Sequence, residues 1–527
     1  MTTKRWILAA AVLGSGIVFL DSTVVNVALP KIGSDLPRLF LGVLEGQSYV
    51  YNAYLLTLSA LLILAGAVND FYGRKRTFLL GLVGFGATSA LCGFAPNMEL
   101  LVVFRILQGA AGALLVPGSL ALITANFSGE EQGRAFGTWA GASGATTILG
   151  PLLGGILVDT ISWRAAFFIN IPLVAVAAWA TWRSVPESRD EKASPHFDWI
   201  GAAIVALAVG GLAFGTIYGQ QRDWKDPIGF AALGVGVLAT AALPFWMSRA
   251  RHPLIPLELF RSRNFTVTNI STLLIYGSLY VVFYYVGLFQ QGTLGYGAAA
   301  AGAAGIPGFL FLIFFSSRFG SLAARYGPRI FMAVGPVLMA IGVLLYARVP
   351  SDSAPWKLEP NNVASYMPPL SYIVDFLPGS IIFGLGIMVM VAPLTTALMT
   401  SIPVRNSGLG SAINNAISRV GPQLAGALIF VFLTANFYAI LAAQMPGVDV
   451  TSESFRSQVS PLNTPLDSKL IGVVREASTS SLHIAMLIGA GLLLAGAIVK
   501  AVGIRNKQAK PVEEEPAAGE PASSTPA

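Results

Sequence analysis

The sequence predicts an all-α polytopic membrane protein built from two six-helix bundles, with two further helices inserted between them. Three observations carry this expectation: charge is scarce, long apolar runs recur fourteen times, and signature residues of the first part return in the second. Only 11% of residues are charged against 54% hydrophobic, and the mean hydropathy is +0.67. A soluble globular chain carries about 25% charged residues. Runs of about 20 apolar residues are long enough to cross hydrocarbon as a helix. Their continuity, without period-two alternation, argues against a membrane β-barrel.

The runs fall near 6–28, 48–69, 77–95, 99–124, 135–158 and 164–183, then 198–219 and 227–248, then 266–289, 298–319, 329–348, 372–398, 408–436 and 481–503. The start, MTTKR before an apolar stretch, mimics a secretory signal. It reads instead as an uncleaved first span, because many spans follow and no small-x-small site closes the stretch. Fourteen spans put both termini on one side. Of the 33 Lys and Arg residues, 21 lie on that side and 10 on the other, while Arg105 and Arg419 lie inside spans. The bias predicts cytoplasmic termini and a cell inner (plasma) membrane location. Expected domains are 1–184, 185–265 with the inserted helices, 266–503, and a low-complexity, disordered tail at 504–527. Loops 349–371 and 437–480 are long and rich in Ser, Pro and Asn.

The repeat is internal evidence for a duplicated unit. GAVNDFYGRKR begins at Gly66 and GSLAARYGPR at Gly320; the glycine and the Tyr-Gly pair recur 254 residues apart. Arg134, Gly137, Gly150 and Pro151 recur as Arg405, Gly408, Gly421 and Pro422, each 271 residues on. Two matches in the same order point to a duplicated six-span unit.

The stretch LDSTVVNVALP places Asp21 within the first span, where a lone charge costs roughly 2.5–3.5 kcal/mol. Arg105 is similarly isolated in the fourth span, so the two are expected to face a central cavity within reach of each other, directly or through water. Burial favours the neutral acid and a guanidinium favours the carboxylate. Between the two, Asp21 is the candidate proton carrier and Arg105 sets its affinity. One proton exchanged for a monovalent cation would move no net charge.

LDSTVVNVALP, GAVNDFYGRKR, LVVFRILQGAAGA, LGPLLGG, WRAAFFINIP and IPVRNSGLGSAINNAISRVGPQLAGA together resemble the fourteen-span drug:proton antiporters of the major facilitator superfamily. The resemblance covers nearly the whole chain and implies the major facilitator fold, alternating access and a proton as coupling ion. It makes Asp70, Gly73 and Arg74 a cytoplasmic gate; Gly73 can take the positive φ of a tight reversal, and Asp70 suits a helix N-terminus or a basic partner. Phe71 stands where the family has a basic residue, and Ala324 replaces the aspartate in the second copy. Gly150, Pro151, Gly154 and Gly155 form the motif that marks exporters; small residues one turn apart also admit a close helix.

Asn26, Tyr51, Tyr54, Trp139, Asn170, Tyr280, Tyr284, Asn414, Asn415 and Arg419 are the candidate lining of a large amphipathic cavity, with aromatic faces for a lipophilic cation. The expected function is therefore proton-coupled export of amphipathic, cationic small molecules by a monomer in the lipid bilayer. Export of one endogenous metabolite or lipid is the alternative. An enzyme is not expected: His196, His252 and His483 are scattered, and no metal-binding or nucleophile motif exists. There is no phosphate loop for ATP, no basic stripe for nucleic acid, and no cofactor or metal is expected. The single cysteine, Cys92, reads as a buried inert thiol.

Overall fold

In the computed structural model, residues 3–39, 43–189, 197–221, 226–358, 362–464 and 467–506 are described. His196, the side chain of Asp159 and all but residues 504–506 of the expected tail lie outside them. Among the described residues, fourteen helices are long and apolar enough to cross a membrane. They are α1 (Thr3–Asp35), α2 (Val43–Tyr72), α3 (Arg74–Gly93), α4 (Met98–Asn126), α5 (Gly129–Thr160), α6 (Asn170–Ser184), α7 (Trp199–Gln221) and α8 (Pro227–Arg249). The second half contributes α9 (Arg263–Leu288), α10 (Ala298–Tyr326), α11 (Arg329–Tyr346), α12 (Leu377–Met399), α13 (Ser407–Gln444) and α14 (Ile471–Gly503).

Local chemistry sets the helix ends. Asn97 caps α4 by accepting from the Leu100 N–H at 2.9 Å, and Asp226 caps α8 ahead of Pro227; both satisfy N–H groups that helix geometry leaves free. Gly73 breaks α2 from α3 at φ +107°, a backbone conformation that favours glycine. The Glu187 carboxylate then accepts from the first free N–H groups of α3, at Lys75 and Arg76.

Several helix bounds differ from the hydropathy reading: α1 runs on to Asp35 rather than 28, and α10 to Tyr326 rather than 319. α5 starts at Gly129, α13 runs on to Gln444, and α14 starts at Ile471 rather than near 481. In α14 the polar residues fold into the helix because their hydroxyls bond back one turn: Thr479 donates to the Arg475 carbonyl and Ser481 to that of Ala477. The loop before α14 packs rather than hangs free. Phe437, Tyr438, Val459 and Ala477 form a small core there, and Tyr438 donates to the Val459 carbonyl.

α1–α6 make one bundle and α9–α14 the other. The halves meet along two seams, α2 with α13 and α5 with α10, which are the duplicated counterparts of one another. Glycines permit the approach: a Cβ on Gly66 would strike the Gly408 carbonyl, and one on Gly137 would strike Ser317. Both seams close toward the face that bears the termini. The inserted hairpin, α7 and α8, sits against α2 and α13 and so covers the first seam.

Asp198 ties that hairpin together. Its carboxylate accepts from the Gly201 N–H at 2.8 Å, the Trp246 indole at 3.0 Å and the Leu254 N–H at 2.9 Å. Asp198→Ala removes the acceptor of all three hydrogen bonds. Losing hydrogen bonds to a charged group costs about 1.5–3 kcal/mol, so the detergent-solubilised protein should melt several degrees lower. An unchanged melting temperature would show that the tie adds nothing.

Candidate functional site

Asp21 and Arg105 form a fully buried ion pair, with Arg105 Nη1 2.5 Å from Asp21 Oδ2 and neither side chain exposed at all. Around them lies a polar cluster drawn from four helices. Gln108, one turn along α4 from Arg105, accepts from the guanidinium at 2.7 Å and donates to Asp21 Oδ1 at 3.0 Å. Asn170 donates to the same oxygen at 2.9 Å and to Ser89 at 3.0 Å. The Ser89 hydroxyl donates to the Phe167 carbonyl at 2.9 Å. Arg105 Nε donates to the Val50 carbonyl at 3.1 Å, and its guanidinium lies 4.0 Å from the Tyr54 ring centre.

The expected partnership is therefore direct, but its expected position is corrected. The pair does not face a central cavity; it is sealed inside the first bundle among α1, α3, α4 and α6. Four acceptor and donor contacts replace the water each ion has lost, which is what a buried pair requires to persist. Arg105 Nη2 and Asn170 Oδ1 have no hydrogen-bond partner among the described residues. Gln108 and Ser89 were missed in the sequence. Cys92 is buried as expected, with its thiol 3.5 Å from Gln108.

Asp70 and Arg74 sit at the first seam. Arg74 Nη2 reaches Asp70 Oδ1 at 2.9 Å, and Arg74 also donates to the Val404 carbonyl across the seam. The Asp70 carboxylate accepts from the N–H groups of Gly408 at 3.2 Å and Leu409 at 2.9 Å. It thus caps α13, whose own N-cap Asn406 makes no side-chain bond, and it sits where the helix dipole favours negative charge. Phe71 packs on Phe197, which leads into the inserted hairpin. In the second copy Ala324 lies against Gly133, so that seam is held by close packing without charge.

In the glycine motif, Gly150 lies against Thr23 and Gly154 against Val24 of α1. Pro151 is exposed, and nothing lies within 4 Å of a Cβ built on Gly155.

The candidate lining residues separate into two groups. Tyr54 and Asn170 belong to the buried cluster, and Trp139 is buried with its indole bonded to Ser15 and Ser119. Asn414 is buried inside the second bundle, donating to Asn269 and Thr272 at 3.0 Å each. These four do not line an open cavity: each is a polar group that finds its partners within one bundle. Asn415 bonds back to Ser411, while Asn26 and Tyr284 are exposed. Tyr51 of α2, Tyr280 of α9 and Arg419 of α13 come together between the bundles, within electrostatic range of one another. Tyr280 remains 54% exposed there. Among the described residues, Asp21 and Asp70 offer the expected cationic substrate no counter-ion at this place, because both are buried in ion pairs.

Two bundles related by an internal repeat and meeting along two seams have the form of a membrane transporter. A family model described as Major Facilitator Superfamily matches residues 11–426. The chain belongs to the major facilitator superfamily and is a transporter rather than an enzyme. It is 30% identical to the tetracenomycin C resistance and export protein of Streptomyces glaucescens, over 97% of this chain and 93% of that one. It is 33% identical to a puromycin resistance protein of Streptomyces alboniger, over 83% and 84% of the two chains. The human organic anion transporter MFSD10 shares the fold, with a TM-score of 0.59 and 13% identity over 95% of this chain and all of that one. So does the proton:xylose symporter XylE, at 0.54 and 15% over 93% and 94%.

Asp70→Asn keeps the shape but removes the charge facing α13. In a protein carrying Cys92→Ser and the near-isosteric probe Ser407→Cys, buried at the start of α13, maleimide labelling should rise about tenfold when Asp70→Asn is added. That corresponds to losing about 1.4 kcal/mol, the low end for charged hydrogen bonds. Labelling that stays put would show that the carboxylate does not hold the seam.

Proposed function

We propose that this chain is a proton-coupled antiporter that exports amphipathic small molecules by alternating access. It works as a monomer in the plasma membrane, with both termini in the cytoplasm. The observation that carries the reading is the buried Asp21–Arg105 cluster: a titratable carboxylate, with Gln108 and Asn170 on it, in the core of the first bundle. In an ionised state Asp21 is acceptor only; with a proton it becomes a donor and releases Arg105 from the pair. Proton loading therefore changes what Arg105 holds. Export is supported by relatives named for drug resistance and export. With the seams shut, the described conformation is the one closed to the cytoplasm, and Asp70, Gly73 and Arg74 are its latch.

A second reading, export of one endogenous compound, draws support from relatives named for single substances, tetracenomycin C, puromycin and methylenomycin A.

Inverted vesicles with an acidified lumen and a pH-sensitive dye test the reading. Adding a panel of amphipathic compounds should release luminal protons from wild-type vesicles. Asp21→Asn keeps an acceptor for Gln108 and Asn170 but cannot cycle a proton, so the initial rate should fall at least tenfold. Release that survives the change would move the proton site elsewhere, and no release with any compound would overturn antiport.

A further inference from the structure

We propose that the cavity between the bundles selects amphipaths that carry an acidic group, a carboxylate or an acidic phenol on an aromatic frame, and that Arg419 is the residue that binds it. This rests on the transport reading above and replaces the cationic substrate expected from the sequence.

Among the described side chains, Asp21 is the acid deep inside a span and Asp70 is the buried acid at the end of α2, and both are neutralised, by Arg105 and Arg74. The other acids with described side chains lie in loops or within two turns of a helix end. A lipophilic cation entering between the bundles would therefore meet aromatic faces but no carboxylate.

Arg419 is the converse. It stands a third of the way along α13, half-buried, and makes no ion pair or hydrogen bond with a described residue. Its guanidinium, always charged, offers donors in a fork that matches a carboxylate. Unlike Arg105 it has no carboxylate of its own, and an unpaired charge at this depth calls for a partner or a wet cavity. Tyr51 from the first bundle and Tyr280 from the second stand within its electrostatic range. Their rings supply apolar surface and their hydroxyls two further donors. Tyr276, one turn from Tyr280, extends the aromatic wall, with ring centres 6.2 Å apart. A cation, an unpaired donor set and an aromatic wall are the complement of an aromatic acid.

The energetics follow from charge movement. When an anion leaves as a proton enters, both steps carry charge the same way across the membrane, so the potential drives export along with the pH gradient. Exchange of one proton for a monovalent cation would be blind to the potential.

The test uses two dyes on one xanthene frame, fluorescein with its carboxylate and acidic phenol, and rhodamine 6G, a cation with its carboxyl esterified. Binding to the full-length protein in lipid nanodiscs should favour fluorescein. Arg419→Gln should weaken fluorescein at least tenfold while leaving rhodamine 6G no weaker, and Arg419→Lys should restore part of the loss. Preference for rhodamine 6G, binding of neither dye, or an equal loss of both in Arg419→Gln would overturn the assignment. In inverted vesicles, clamping the potential to zero with potassium and valinomycin at a fixed pH difference should slow fluorescein uptake, and uptake indifferent to the clamp would count against an anionic substrate. Binding that follows Arg419 without any uptake would keep this site and sink the transport reading instead.

Discussion

Hydrocarbon leaves no place for an unpartnered charge, and the two acids deep in this chain meet that constraint in different ways. Asp21 finds Arg105, Gln108 and Asn170, all within the first bundle. Asp70 finds Arg74 on the adjoining helix and, across the seam, the free N–H groups of α13. The first set of bonds survives any rigid movement of one bundle against the other. The second set cannot, because half of its partners belong to the opposite bundle. One carboxylate therefore reports the chemistry inside a bundle, and the other the relation between bundles.

The duplication is not symmetric where it meets this constraint. By the 271-residue offset, the start of α13 at Ser407 corresponds to residue 136, yet α5 begins seven residues earlier, at Gly129. Two extra turns carry the N-terminus of α5 past the level of Ala324, where an aspartate would otherwise find it. That end has its own acids, Glu130 and Glu131, and Lys4 of α1 reaches Glu131 at 2.5 Å. Exposed pairs of this kind contribute little. The α5–α10 seam is thus held by backbone against backbone, at Gly133 and Gly320. The α2–α13 seam adds a buried charge, and the inserted hairpin lies over it. Forces that separate the bundles therefore act on two unlike joints.

The helices and the pairing of Asp21 with Arg105 were legible because hydropathy and desolvation act on composition and depth, which a sequence carries directly. Which way the pair faces was not. Rotating α1 by half a turn would exchange its bundle side for its cavity side without changing a residue, and packing against α3, α4 and α6 settles that rotation. Tyr54, Asn170 and Asn414 were misplaced for the same reason: an aromatic or an amide in a span reads alike on either face. Gln108 did carry a signal, since residues three apart share a helix face, and Arg105 at depth needs several partners. Arg419 was legible as an unpaired charge in a span, but Tyr51 and Tyr280 lie far from it in sequence, and folding alone brings them to it. Lys500 shows the limit of counting charges: placed with the cytoplasmic tail, it is wholly buried in α14.

A sealed carboxylate and a proposed substrate site at Arg419 raise the question of how one informs the other, and α2 supplies a physical answer. Its Val50 carbonyl and Tyr54 ring hold Arg105. Tyr51, between those two residues, faces the space shared with Tyr280 and Arg419. Five turns on, Gly66 and Asp70 of the same helix form the seam. A packed helix moves as a body, because close-packed interiors rearrange between discrete states rather than bending continuously. In the proposed cycle, a proton on Asp21 frees Arg105 to settle differently against Val50 and Tyr54. Any shift of α2 that results is felt at once by substrate beside Tyr51 and by the latch at Asp70. Substrate need never touch the proton site for each to bias the other's occupancy; the coupling requires only that both bear on one rigid element.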